Sequence, residues 1–170
     1  IQGHGEADSI RASYAYKNLS RTYEIEWLDL PSLAEIEKRY RVAIVAKPTR
    51  PFSVADKFKI DQYLMNGGKI IWMIDALNAE FDSLVVNRGE FVATEYPLGI
   101  EDQLMQYGVR INADLVQDMQ CLRIPVPASV NPSGAAPWFF RPVINNFHSR
   151  HVLTQNLDAI ELDFASTIDT

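Results

Sequence analysis

The stretch from Ser53 to Asp75 constrains the fold more than any other in this chain, because a capped helix, a glycine stop and an apolar strand follow one another without a gap. Ser53 and Asp56 form a capping pair, in which the serine oxygen and the carboxylate take up backbone N–H groups that a first helical turn leaves without partners. The helix then runs from Val54 to Asn66. Asn66-Gly67-Gly68 ends it, since glycine enters the left-handed conformation without a Cβ penalty. Lys69-Ile70-Ile71-Trp72-Met73-Ile74-Asp75 is apolar on both faces, as a strand covered by helices requires. The shorter apolar run Val42-Ala43-Ile44-Val45-Ala46 precedes the helix, across a loop that Pro48 and Pro51 keep out of regular pairing. Strand, crossover helix and strand predict parallel pairing with a right-handed connection.

Upstream, the same alternation is expected twice more. Gly3-His4-Gly5-Glu6 reads as the end of a strand followed by a helix to about Tyr23, and Glu24 to Leu30 reads as a strand ended by Pro31. Ser32 and Glu35 fit a capping box for a helix to about Tyr40. The first 75 residues therefore predict an α/β fold with a mostly parallel sheet flanked by helices. Beyond Asn78 the pattern weakens into an irregular or β-rich excursion, with residues 80–98 forming a hairpin or a less regular loop. A helix from about Ile100 to Tyr107 should end at Gly108, and Leu115-Val116 makes a small strand. Pro125 to Pro137, with four prolines, reads as a surface loop, and the segments Trp138 to Val143 and Ile160 to Phe164 as late strands.

At 170 residues and 47% hydrophobic content the chain can build one ordinary core, so a single domain over residues 1–170 is expected. The net charge of -6, with basic residues scattered along the chain, argues against a nucleic-acid partner. One cysteine, Cys121, excludes an internal disulfide framework. No window approaches the roughly 20 apolar residues that span a bilayer. Because the sequence opens on Ile1-Gln2-Gly3 and closes on Ser166-Thr167-Ile168-Asp169-Thr170, it is expected to be a segment of a longer protein whose anchor lies elsewhere.

Asp75 stands where the central strand ends, the place at which open α/β sheets put ligands. A nucleophile elbow at that turn would need Ser or Cys between small residues, and Asp75-Ala76-Leu77-Asn78 supplies neither hydroxyl nor thiol. Acyl transfer there is not expected. Gly3-His4-Gly5-Glu6 is the sharpest polar constellation, since the glycines let the backbone approach a ligand while His4 could exchange a proton or bind a metal. The alternative is a structural turn with a hydrogen-bonded histidine. His148 and His151 lack a third ligand at metal-binding spacing, and Cys121 beside Leu122 fits a small buried hydrophobe, so neither a metal nor any cofactor is predicted. Arg50, between two prolines and just before a helix N-terminus, is a candidate for anion recognition, with a solvated loop arginine as the plain alternative. Trp138, in Trp138-Phe139-Phe140, is either a core residue or an aromatic anchor for a partner.

Several stretches together resemble one family. Gly3-His4-Gly5-Glu6, Ala46-Lys47-Pro48-Thr49-Arg50-Pro51-Phe52 and Asp61 to Lys69 resemble the extracytoplasmic region of GldG, the gliding-motility-associated ABC transporter component of Bacteroidetes-type bacteria. Glu101 to Leu104, Tyr107 to Asn112, Asp114 to Asp118, Pro137-Trp138 and Phe164 to Thr170 look like the same family. The resemblance implies a flavodoxin-like or class I glutamine-amidotransferase-like fold without the catalytic cysteine. It further implies a non-catalytic binding or scaffolding domain on the periplasmic side of the cytoplasmic membrane, anchored by transmembrane helices outside this segment. Its expected partners are a membrane permease and a cytoplasmic ATPase, with self-association left open. The rival expectation is a hydrolase or carbohydrate-active enzyme using His4 with Glu6 or Asp75. A third reading is an interaction module that docks through Trp138-Phe139-Phe140 or the proline loop.

Overall fold

The computed structural model describes residues 1–6, 13–79, 92–129, 131–147, 152 and 154–170. The chain divides into two compact units. The first comprises Ile1–Ala76, Glu95–Arg110 and Thr170, and the second Leu77–Thr94 and Ile111–Asp169.

The first unit is built around the segment that the sequence marks most strongly. Strand β1 (Val42–Ala46) leads through the proline loop into α2 (Val54–Met65), and β2 (Lys69–Met73) returns beside β1 in parallel register, Val42 opposite Lys69 and Ala46 opposite Met73. Ser53 Oγ accepts from the Asp56 N–H at 3.1 Å, and Gly67, at φ 89°, follows the helix stop. Ile60 and Tyr63 on α2 are buried with Val45 of β1, Leu30, Phe52 and Ile100 in the apolar core. Helix α3 (Glu101–Gln106) adds Leu104 to that core, and its Gln103 Nε2 donates to the Lys57 carbonyl of α2 at 2.9 Å.

An α/β fold with a mostly parallel, flavodoxin-like or glutamine-amidotransferase-like sheet flanked by helices does not form. β1 and β2 form a parallel ladder of two strands, and an isolated parallel bridge joins Gln2 to Asp29. Helix α1 is only Tyr14–Leu19, the expected strand at 24–30 ends in a 3-10 turn over Leu30–Ser32, and residues 33–40 are turns rather than a helix. The box at Ser32 fails because its hydroxyl donates backwards to the Asp29 carbonyl at 2.8 Å. A helix of eight residues is too short to hold itself in water without strong packing on one face. Arg39 and Tyr40 instead reach Glu26 at 2.8 Å and 2.5 Å, which ties this stretch to the preceding segment as a loop.

In the second unit β6 (Cys121–Pro125) pairs antiparallel with the long β7 (Ala135–Ile144), and β8 (Ile160–Glu161) pairs antiparallel with the end of β7. Two further ladders, each two residues long and not confined to the second unit, pair β3 (Leu77–Asn78) with β4 (Thr94–Glu95) and β5 (Arg110–Ile111) with β9 (Ile168–Asp169). The proline stretch expected as one loop is divided: Pro125 ends β6, Ala135 and Pro137 belong to β7, and the turn lies between them. Leu115-Val116 forms no strand, though Val116 N–H donates to the Ala165 carbonyl at 2.8 Å. The part of the first expected helix at 7–12 and most of the expected 80–98 excursion, at 80–91, lie outside the described residues.

Candidate functional site

The first unit holds a sealed cluster of charged side chains built around His4. Its backbone is set by the loop after β1, where the Thr49 and Arg50 N–H groups both donate to the His4 carbonyl at 2.8 Å. Gly5 follows at φ +75°, and a Cβ there would stand 2.2 Å from Thr49 Oγ1, so only glycine lets the two segments lie this close. The chain then turns Glu6 back onto His4, whose own N–H donates to Glu6 Oε2 at 2.7 Å.

The imidazole is 2% exposed and stacks on Phe52 with ring centroids 3.9 Å apart. One ring nitrogen, Nδ1, is 3.4 Å from Glu6 Oε1, and the other, Nε2, is 3.3 Å from Asp56 Oδ2. Asp56 is shared further: Ser53 Oγ donates to Oδ2 at 2.6 Å and Lys59 Nζ to Oδ1 at 2.9 Å. Lys59 also donates to the Leu30 carbonyl at 2.9 Å, which links α2 to the turn after Asp29.

The charges order themselves along this chain of contacts. Burial opposes protonation of His4, but the Glu6 and Asp56 carboxylates on its two nitrogens outweigh that and raise its pKa above the usual histidine value. Burial likewise opposes ionisation of Glu6, and the hydrogen bonding to His4 and to the backbone overcomes it and lowers the pKa. For Asp56, burial is outweighed by Ser53, Lys59 and His4, again leaving the carboxylate below its ordinary range. The contacts alternate carboxylate, imidazole, carboxylate, ammonium. With a carboxylate facing each ring nitrogen and the ring itself 2% exposed, neither nitrogen is open to a substrate. The arrangement clamps the N-terminal segment, the proline loop and α2 together.

The remaining residues singled out by the sequence are dispersed. Arg50 joins the cluster through its backbone only, and its side chain is exposed. Asp75 is half-exposed and faces Lys47 Nζ at 3.4 Å. Trp138 lies in the second unit, where its ring packs 5.7 Å from Phe140 and 6.4 Å from Phe164 as part of an aromatic core. Cys121 is a partly buried free thiol opening β6. His148 and His151 lie outside the described residues. Among the described residues no group of three or more His, Cys, Asp or Glu side chains could hold a metal ion, and no helix is long and apolar enough to cross a membrane.

Asp56 and Lys59 are the members of the cluster that sequence reasoning missed, having assigned Asp56 only to helix capping. The signal was present. Asp56 precedes Ile60 by four residues and Tyr63 by seven, so it shares the buried stripe of α2, and a carboxylate there requires a cationic partner.

A family model described as an ABC-type uncharacterized transport system (ABC_transp_aux) matches residues 1–170. No curated protein matches the chain. Among solved structures, the "mmIFT52 N-terminal domain" is similar at a TM-score of 0.60 and 17% identity, covering 96% of this chain. The chain spans 64% of that structure's length, and the similarity concerns the fold.

Proposed function

Because this chain belongs, over its residues 1–170, to the family of auxiliary domains of ABC-type transport systems, we propose that it is a non-catalytic extracytoplasmic binding or scaffolding domain of an ABC transporter complex serving bacterial gliding motility. The match over the whole chain is the observation that carries this reading. In it the domain sits on the periplasmic side of the cytoplasmic membrane and works with a membrane permease and a cytoplasmic ATPase. The gliding-motility assignment is supported by the likeness of Gly3-His4-Gly5-Glu6, the Ala46-to-Phe52 loop and Asp61 to Lys69 to GldG.

A non-catalytic role is supported by two local features. The turn after β2 carries Asp75, Ala76 and Leu77 in place of a nucleophile, and Asp75 is paired with Lys47 on the surface. Among the described residues the one buried histidine, His4, is closed off by two carboxylates and an aromatic ring.

Affinity purification of the full-length tagged protein from detergent-solubilised native membranes, followed by mass spectrometry, tests the reading. Co-purification of an ABC permease and ATPase in near-stoichiometric amounts is the expected result. Recovery of the protein without either subunit would overturn the transporter assignment. A hydrolytic turnover abolished by both His4→Gln and Asp75→Asn in folded protein would overturn the non-catalytic one.

A further inference from the structure

The tract Lys38-Arg39-Tyr40-Arg41 concentrates three cations in four residues of a chain whose net charge is -6. Arg39 is neutralised where it stands: its guanidinium lies 2.8 Å from Glu26 and 2.9 Å from Glu37. Lys38 and Arg41 are exposed and form no ion pair or side-chain hydrogen bond with any described residue. Lys69, the first residue of β2, is exposed and equally free of a side-chain partner among the described residues.

These three cations border one groove of about 400 Å³, at the end of β1 and β2 opposite the His4 cluster. Its floor is rigid. Ile36 and Tyr63 are buried, the Tyr63 hydroxyl donates to the Tyr40 carbonyl at 3.0 Å, and the Tyr63 ring lies directly against Gly68. No aspartate or glutamate is among the residues that line the groove. Its volume falls in the range of small-ligand sites, roughly 300–1,000 Å³.

We propose that this groove binds a phosphate-bearing anion, either free in solution or presented as a lipid headgroup. Three positive charges exceed what one carboxylate can match, whereas a pyrophosphate, or several phosphodiester headgroups side by side, presents multiple negative charges and acceptor oxygens at once. Arg41 supplies the planar fork suited to two of those oxygens, and Lys38 and Lys69 supply point charges beside it. Placing the cations at the rim keeps them hydrated until a ligand arrives, so the free groove bears little desolvation cost. This inference rests on the local charge pattern and is independent of the transport reading.

The test is calorimetric titration of the purified chain with pyrophosphate, alongside sedimentation with vesicles of phosphatidylglycerol and of phosphatidylcholine. The variant is the triple substitution Lys38→Gln, Arg41→Gln and Lys69→Gln, whose exposed side chains leave the core untouched, with Lys17→Gln as a charge control. Saturable pyrophosphate binding that weakens more than tenfold in the triple variant, and not in the control, is the expected result for a free anion. Sedimentation with phosphatidylglycerol but not phosphatidylcholine vesicles, lost in the same variant, assigns the headgroup as the source. Absence of both interactions, or binding that the triple variant retains, overturns the proposal.

Discussion

Replacing His4 with alanine should destabilise the first unit severely, because the residue removed is the cation between two buried carboxylates. The side chains of His4, Glu6 and Asp56 are 3%, 5% and 6% exposed, so none can recover its lost partner by turning to water. Removing one member of a buried ion pair costs roughly 3–5 kcal/mol, and here the ring also leaves a void against Phe52. For a chain of this size that corresponds to a melting temperature lower by roughly 6–20 °C. Urea unfolding followed by circular dichroism measures it directly. Asp56 keeps Lys59 as its partner, so Glu6 is the carboxylate left stranded, and the double variant His4→Ala with Glu6→Gln should be more stable than His4→Ala alone. The pH dependence follows the same logic. His4 has a folded pKa above its ordinary 6.5, so its contribution is complete below about pH 6.5 and disappears as pH rises through the folded value. Glu6 and Asp56 are depressed from 4.5 and 3.8, so theirs is complete above those values and disappears as pH falls through the folded ones. Stability should therefore be flat between about pH 4.5 and 6.5 and decline on both sides, with the alkaline decline missing in His4→Ala. A loss under about 1 kcal/mol in His4→Ala, or a double variant weaker than the single one, would refute the reasoning.

Three further substitutions separate structural from surface roles. Asp75→Ala removes a half-exposed pair with Lys47 and should change stability by no more than about 1 kcal/mol in the same urea titration. Gly68→Ala places a Cβ 2.4 Å from the Tyr63 ring, which is buried and anchored at its hydroxyl, so a loss of about 1–3 kcal/mol and a displaced Tyr63 ring resonance in NMR are expected. Trp138→Ala removes a half-buried ring packed on Phe140 and Phe164 and should cost about 1–2 kcal/mol, together with loss of near-ultraviolet circular dichroism from the second unit.

What could be read from the sequence was what local chemistry decides. The Ser53 cap, the α2 helix, the glycine stop and the strands on either side of it were legible because each carries its own signal within a few residues. Helix α3 before Gly108 and the β7 and β8 strands were legible for the same reason. The sheet was not, because extrapolating one strand-helix-strand unit to the whole chain assumed that every weaker apolar stretch would pair in the same way. The stretch from Glu24 to Leu30 has the composition of a strand, yet its pairing shrinks to the bridge at Asp29. Pairing depends on what the neighbouring segment offers, which no local pattern contains.

The fully buried apolar side chains of the described residues, apart from Pro142, all belong to the first unit. That unit also contains the sealed ionic cluster, and the two facts have one cause. A buried charge network is tolerable only where surrounding packing excludes water and holds every partner in place, and the core around Leu30, Ile60 and Phe52 does so for His4. The conserving of geometry at His4 and the openness of the groove at Lys38, Arg41 and Lys69 are then complementary uses of the same scaffold. At one end of β1 and β2 the charges of His4, Glu6, Asp56 and Lys59 face one another and are closed in. At the other, Lys38, Arg41 and Lys69 stand unmatched around the groove, while the nearby Glu26 and Glu37 carboxylates are taken up by Arg39 and Tyr40.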